Sequence, residues 1–370
     1  MISSFSVKVP HYRIIEYISG SSMGGAEHGV QVDARELRRR GHEILFVAPR
    51  GRKITRALQK EDFPLWSPKT YGKIDPVTLM RLIRVIRNRR IHLVHTHLST
   101  ASLIGSIAAR VCRIPAVATV HGLNSAFCYR NSHLIVAVSQ AVKDHLESQG
   151  IPGGRIRVVQ NGINVARFQG LMRREEARAE LGLPADSPII LYAGRLSPEK
   201  GVALLPNILG RVRERVPNAL LVTIGEGVMQ SEMEDALRKA HLEEAVRLMG
   251  YRADPLPFLA AADLLLLPSY REGLPRILLE SMAAGLPAVA SEAGGIPEAI
   301  EQDRTGKTAP IGDVEALADA CVELLRDEEL RLRMGAAACD RAERLFSVVK
   351  SVTELEQVFL EARAMGAVRG

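Results

Sequence analysis

Two carboxylates and two cations stand out in this chain. Glu272 and Glu280 lie eight residues apart in Tyr270-Arg-Glu-Gly-Leu-Pro-Arg-Ile-Leu-Leu-Glu-Ser-Met-Ala-Ala-Gly-Leu-Pro287, just after the apolar run Leu264–Leu267. Gly273 and Pro275 fall where a loop turns into a helix, and Gly285-Leu-Pro287 closes it. A helix from about Leu274 to Ala284 puts Glu272 at its mouth and Glu280 about two turns in, at ~3.6 residues per turn. Two such carboxylates can grip a polyhydroxylated ligand, while the helix N–H groups and dipole hold an anion between them. Hydroxyls beside phosphate describe a nucleotide sugar. Surface helices with two glutamates are common, but the buried strand before this one and the helix stop after it set it apart.

Arg195 and Lys200 lie in Tyr192-Ala-Gly-Arg-Leu-Ser-Pro-Glu-Lys-Gly201, again at the end of a strand and the start of a helix. Two cations at such a junction suit a diphosphate, Arg as a bidentate donor and Lys as a point charge. Alone, the segment reads equally well as a solvated loop. Ala118-Thr-Val-His-Gly122 places His121 at the carboxyl end of a buried strand, where it can point to a ligand. Lone histidines are more often structural, and the same holds for His95 and His97 in Val94-His-Thr-His97. Their spacing would also serve a metal, but no third ligand stands at a helpful distance, so no metal site is expected.

Other motifs narrow the chemistry. Met23-Gly-Gly-Ala-Glu27 follows the first strand, where backbone must approach phosphate, yet it lacks the dinucleotide fingerprint. Gly225-Glu-Gly-Val-Met-Gln230 has the right context without the third glycine and reads as a tight turn. Hydride transfer is therefore disfavoured. Neither a P-loop nor an Asp-x-Asp is present, so a diphosphate must be neutralised by cations and helix dipole without metal.

The elements that position these residues alternate. Strands are expected at Tyr12–Ile18, Glu43–Ala48, Ile91–His95, Ala116–Val120, Leu134–Val138 and Ile156–Val159, with helices to Arg40 and over Pro76–Asn88 and Thr100–Val111, and another capped by Ser139. Arg50–Tyr71 reads as irregular. The pattern then restarts: helix Arg173–Leu181, strand Ile189–Ala193, helix Val202–Arg215, strand Ala219–Ile224, helix Met229–Ala240, strand Val246–Met249, helix Pro257–Ala262, strand Leu264–Leu267, the glutamate helix and strand Ala288–Ser291. Three helices end the chain: Val314–Leu325, Glu329–Arg344 and Val348–Ala364. Strands separated by helices imply parallel sheets covered on both faces. The reading is α/β with two Rossmann-like domains facing across a cleft, at 1–165 and 166–345, a hinge near Asn161–Gly170, and a tail at 346–370.

Composition fits this picture. The 370 residues are 46% hydrophobic and 25% charged, ordinary for two soluble α/β domains. No apolar run approaches the ~20 residues of a membrane span, and Met1–Pro10 does not read as a signal peptide. Cys112, Cys128, Cys321 and Cys339 are scattered, as for reduced, packed thiols in the cytoplasm. Charge is uneven: residues 1–165 hold 24 basic and 10 acidic side chains, a net of +14, whereas the remaining 25 basic and 32 acidic give −7. Arg35, Arg38, Arg39 and Arg40 form one basic cluster; Arg81, Arg84, Arg87, Arg89 and Arg90 form a denser one, interleaved with Leu79, Leu82, Ile83 and Ile86. The second suits an anionic membrane as well as it suits a solvated helix whose apolar side is core. With 4% aromatic residues and no aromatics in that cluster, nucleic acid is the weaker explanation.

Taken in order, these segments resemble the retaining family 4 glycosyltransferases of the GT-B fold. The likeness rests on Gly24-Gly-Ala-Glu27, Val120-His-Gly122, Val138-Ser139, Val159-Gln-Asn-Gly-Ile163, Gly194-Arg-Leu196 with Lys200-Gly201, Gly225-Glu-Gly227, Ala262-Asp263 with Pro268-Ser269, Glu272-Gly-Leu-Pro275 with Glu280, and Gly294-Gly-Ile-Pro-Glu298. Each piece is weak; the ordered set is specific and covers nearly the whole chain. The resemblance implies catalytic roles for His121, at the sugar, and Glu272, at the sugar hydroxyls. It implies donor binding by Gly24 and Gly25 (phosphates), Arg195 and Lys200 (diphosphate), Tyr251 and Arg252 (base), Gly273, Leu274 and Pro275, and Glu280 (ribose). The tail helix would cross back to the first domain.

The implied reaction moves a hexose, with retention, from a UDP-sugar or GDP-mannose to a glycan or glycolipid, as in surface polysaccharide or lipopolysaccharide synthesis. Attack on the front face through an oxocarbenium-like transition state, with the leaving diphosphate as base, needs no metal or other cofactor. The expected place is the cytoplasm, with the inner face of the plasma membrane weighed beside it. An epimerase or phosphorylase of the same fold, or a non-catalytic nucleotide-sugar-binding protein, is the alternative. Two departures from the family pattern are visible. Arg276 replaces a small or aliphatic residue, and facing solvent is slightly favoured over reading an anion. Only 16 residues separate Gly122 from Ser139, which fits an open acceptor site.

Overall fold

The computed structural model describes residues 10–20, 23–70 and 75–367. The chain divides into two compact units, Met1–Gly162 with Val348–Gly370 and Ile163–Ser347. In the first, β1 (Arg13–Ile18), α1 (Gly25–Arg39), β2 (Glu43–Val47), α2 (Lys53–Gln59), β3 (Leu65–Trp66), α3 (Pro76–Asn88), β4 (Leu93–His97), α4 (Ser99–Val111), β5 (Ala116–Val120), β6 (Leu134–Ala137), α5 (Gln140–Ser148) and β7 (Ile156–Val158) follow one another. The sheet order is β3-β2-β1-β4-β5-β6-β7, with every strand pair parallel. Such a sheet is buried on both faces, which is why its strands are so apolar.

The second unit holds α6 (Arg174–Leu181), β8 (Ile189–Ala193), α7 (Leu205–Arg215), β9 (Leu220–Ile224), α8 (Gln230–Lys239), β10 (Val246–Leu248), α9 (Leu256–Ala261), β11 (Leu264–Leu267), α10 (Arg276–Ala283), β12 (Ala288–Ser291), α11 (Ile296–Ala299), β13 (Gly306–Ala309), α12 (Val314–Arg326) and α13 (Glu328–Leu345). Its parallel sheet runs β10-β9-β8-β11-β12-β13.

Several expectations change. Arg50–Tyr71 is not wholly irregular, because α2 and the two-residue strand β3 lie in it. β4 starts two residues later than expected and so takes in His97. The expected helix from Val202 starts only at Leu205, after short 3₁₀ turns around Gly201, with Pro206 in its first turn. α10 starts at Arg276, so Glu280 is one turn in rather than two.

The last helix, α14 (Val348–Ala367), belongs to the first unit. Val352, Leu355, Val358, Phe359 and Ala362 are buried with Ile14, Val117, Leu134 and Val136 of the sheet. Five such side chains, at ~1.5–3 kcal/mol for each large one, are a substantial share of this core. Polar fasteners fix the register. Arg40 donates to Glu36, Thr353, Glu356 and the carbonyl of Val349, and Arg157 donates to Glu361. Burial alone raises the pKa of Glu356, but bonds from His42 and Arg40 bring it below the usual carboxylate range. The Arg35–Arg40 cluster is thus largely spent inside the unit, with Arg35 paired to Glu61 and Arg38 over the Phe63 ring. Among the described residues no helix is long and apolar enough to cross a membrane.

Candidate active site

In the second unit the site is built where loops leave the carboxyl ends of β8, β11 and β12. The loop after β8 ends at Gly201, with φ +66°; a Cβ there would lie 1.8 Å from the carbonyl oxygen of Pro268, just past β11. The backbone N–H groups of Tyr270 and Arg271 donate to the carbonyl of Glu199, at 2.9 and 3.2 Å. After β12, Gly294 has φ +54°, and a Cβ there would lie 1.9 Å from the carbonyl of Glu272. Only glycine permits these approaches. Gly295 N–H then donates to the carbonyl of Gly273, 2.8 Å away.

These contacts pin Glu272 ahead of α10, with 6% of its surface exposed. Lys200 Nζ donates to both of its carboxylate oxygens, at 2.7 and 2.6 Å, and Ser269 Oγ donates to Oε1 at 2.8 Å. The carboxylate is therefore oriented and cation-compensated before any ligand arrives. The expected cation pair is not gathered on one partner. Lys200 turns to Glu272, while Arg195 is exposed, with Nη1 3.8 Å from Glu199. Ser269 is the residue that sequence reasoning left without a role, though Pro268-Ser269 was in view.

Gly273, Leu274 and Pro275 are buried between Glu272 and α10. Glu280 is half-buried, and burial raises its pKa above the usual carboxylate range against the lowering charges of Arg276 and Arg167. Arg276 does not face solvent: it is 6% exposed. Its charge acts on Glu280, four residues along the same helix, and this spacing was the signal for it. Gly250, before Tyr251 and Arg252, has φ +67° and accepts from Gly225 N–H at 2.9 Å. Tyr251 is half-buried and Arg252 exposed.

The first unit carries a second constellation. Gly24 and Gly25 open α1, and Gly24 N–H donates to Glu27 at 3.1 Å. A fifteen-residue helix presents its positive end here. His121 follows β5, with Nε2 3.1 Å from His97 Nδ1. His97 Nε2 is 2.8 Å from Glu16 Oε2, and His95 Nδ1 is 3.1 Å from Glu16 Oε1. Thr119 Oγ1 is 2.7 Å from His95 Nε2.

Parallel register explains the grouping. Glu16 pairs with His95, and His97 with Thr119, so the period of two sets all of them on one sheet face. Phe359 of α14 covers that face, edge-on to His95 at 5.1 Å between ring centres. Leu98, next to His97, sits at φ 69°, where a side chain is disfavoured. The third group that the His95–His97 spacing lacked is thus Glu16 from β1, and ligand atoms of the three lie within 4.8 Å of one another. Sequence reasoning missed it, because a lone Glu in Arg-Ile-Ile-Glu-Tyr-Ile does not reveal which strand lies beside it.

α3 buries Leu82 and Ile86 and leaves Arg81, Arg84, Arg87, Arg89 and Arg90 exposed. Its apolar side is core.

A family model described as Glycosyl transferases group 1 matches residues 173–341, and one described as Glycosyltransferase Family 4 matches residues 23–167. The N-acetyl-alpha-D-glucosaminyl L-malate synthase of Bacillus anthracis is 26% identical over 366 residues, spanning 93% of this chain and 94% of its own. The D-inositol 3-phosphate glycosyltransferase of Corynebacterium efficiens is 28% identical, spanning 94% and 89%. The crystal structure of Anabaena Alr3699/HepE in complex with UDP and glucose superposes with a TM-score of 0.86 at 22% identity, over 95% of this chain and all of that one, a likeness of fold. The chain accordingly belongs to glycosyltransferase family 4, the group 1 glycosyl transferases, and has the GT-B fold.

Proposed function

We propose that this glycosyltransferase moves a hexose from a nucleotide-diphosphate sugar to a glycan or glycolipid acceptor, with retention at the anomeric carbon. The observation that carries the reading is the buried Glu272, held by Lys200 and Ser269 at the carboxyl ends of the second sheet. A pre-oriented carboxylate at that place suits sugar hydroxyls. Lys200, released in part from Glu272, and the exposed Arg195 would meet the diphosphate, and Glu280 the ribose. Tyr251 and Arg252 stand where the base would lie, with Gly273, Leu274 and Pro275 shaping the wall. In the first unit, Gly24 and Gly25 at the positive end of α1 are assigned to phosphate and His121 to the reacting sugar.

The leaving diphosphate is stabilised by cations and helix dipoles, so the reaction runs without metal. Front-face attack through an oxocarbenium-like transition state makes Glu272 a binder and the diphosphate the base. UDP-sugars and GDP-mannose both suit the site; the UDP complexes of the Anabaena protein favour trying UDP-sugars first. The exposed arginines of α3 would draw the protein to an anionic membrane that carries the acceptor.

The test replaces Glu272 by Gln and Arg195 by Ala and measures donor turnover with and without chelator. A loss of about 10²-fold in each, indifferent to chelator, is expected. Near-normal rates in both variants would sink the assignment. Product formed from donor alone would identify an epimerase instead.

A further inference from the structure

We propose that Glu16, acting through His97, fixes the tautomer of His121, so that both are positioning residues for the transfer reaction. The hydrogen-bond chain allows one arrangement. A carboxylate oxygen can only accept, so His97 Nε2, 2.8 Å away, carries a proton. His97 is neutral: burial, and then the charge of His95, lower its pKa to about 4. Its Nδ1 therefore has the lone pair, and the proton between His97 and His121, across 3.1 Å, sits on His121 Nε2. A neutral His121 then bears its lone pair on Nδ1, the nitrogen nearer its own backbone. Glu16 remains ionised, because bonds from His95 and His97 and the charge of His95 outweigh the effect of burial and bring its pKa to about 2.

The surroundings match a device for orientation. Glu16, His95 and His97 are 1–2% exposed, so water cannot rearrange the chain. His95, bonded to Thr119 on its far side, holds the other half of the carboxylate and prevents Glu16 from turning away. The disfavoured backbone at Leu98 fixes the end of β4. Removing the group that orients a metal-bound histidine through its second ring nitrogen costs ~10–100-fold in metal affinity or activity, and a loss of that order is expected for this hydrogen-bond chain.

The proposal rests on the transferase reading only for its kinetic consequence, and the experiment separates the two. Long-range ¹⁵N–¹H imidazole correlations at pH 8, assigned by comparison with His121→Asn, report which nitrogen of His121 is protonated. The Nε2–H form is expected in the unaltered protein, with a shift towards a tautomer mixture in Glu16→Gln and in His97→Asn. Donor turnover in both should fall about 10–100-fold in kcat, with the donor KM changing little. Two variants from different links guard against one failing to fold. An Nδ1–H His121 in the unaltered protein, an unchanged tautomer in both variants, or a stoichiometric metal ion copurifying with the histidines would overturn the proposal. Expected tautomers in a protein that transfers no sugar would support the relay and count against the transferase reading.

Discussion

Glu16 and Glu272 are both buried carboxylates that accept bonds from several side chains, yet their surroundings differ in kind. Glu16 lies inside a strand, and its partners are two imidazoles from the neighbouring strand. Glu272 lies in a loop, and its partners are an ammonium and a hydroxyl from two loops held together by glycines. The first is sealed and can act only through what it touches. The second has a partner, Lys200, with 28% of its side chain exposed, so a ligand can compete for it. One unit thus holds a fixed orienting group and the other an exchangeable one.

The largest way to break this contrast is to spoil the loop packing. Gly201→Ala puts a Cβ against the carbonyl of Pro268 at a positive φ, and should destabilise the second unit by about 3 kcal/mol or more in urea unfolding. Next, Lys200→Met strands the Glu272 carboxylate. Removing one partner of a fully buried pair costs ~3–5 kcal/mol; with Lys200 partly exposed, about 2 kcal/mol is expected. Adding Glu272→Gln should restore part of this, and simple additivity of the two losses would show that the pair is not coupled.

Acid sharpens the comparison from the other side. His97 titrates at about 4 when folded and at its ordinary 6.5 when unfolded, so the unfolded chain takes up the proton first and stability falls from pH 6.5 towards 4. Glu16 stabilises above its ordinary 4.5, and that contribution is lost as pH falls towards about 2. The only tryptophan, Trp66, is in the first unit and reports its unfolding. In His97→Asn the midpoint should shift less between pH 6.5 and 4; an unchanged slope would remove His97 as the cause. Smallest of all, replacing Arg81, Arg84 and Arg87 by Gln should change stability by no more than about 0.5 kcal/mol. Flotation with anionic liposomes, with and without these arginines, tests their proposed role.

How much the sequence disclosed follows the same divide. Glu272 was legible because strand, loop and helix around it are contiguous, and Gly and Pro mark the joints. Glu16 was not, because its partners are set by sheet order, with β1 beside β4. Strand β13, Gly-Lys-Thr-Ala, escaped because an edge strand needs no apolar run; its Lys307 pairs with Asp303 and Glu323. β3 escaped because a strand of two residues, Leu65 and Trp66, has no periodicity to read. Arg276 was misplaced because a cation at a helix start reads as solvated unless its i+4 partner is weighed.

The fastening of α14 to the first sheet bears on how the protein is made. A ribosome releases the strands of the first unit long before it has made α14, and the whole of the second unit is synthesised in between. Ile14, Val117, Leu134 and Val136 therefore wait without their final cover, while the contiguous second unit can fold as it emerges. The half of the molecule that is translated first is the half that is completed last.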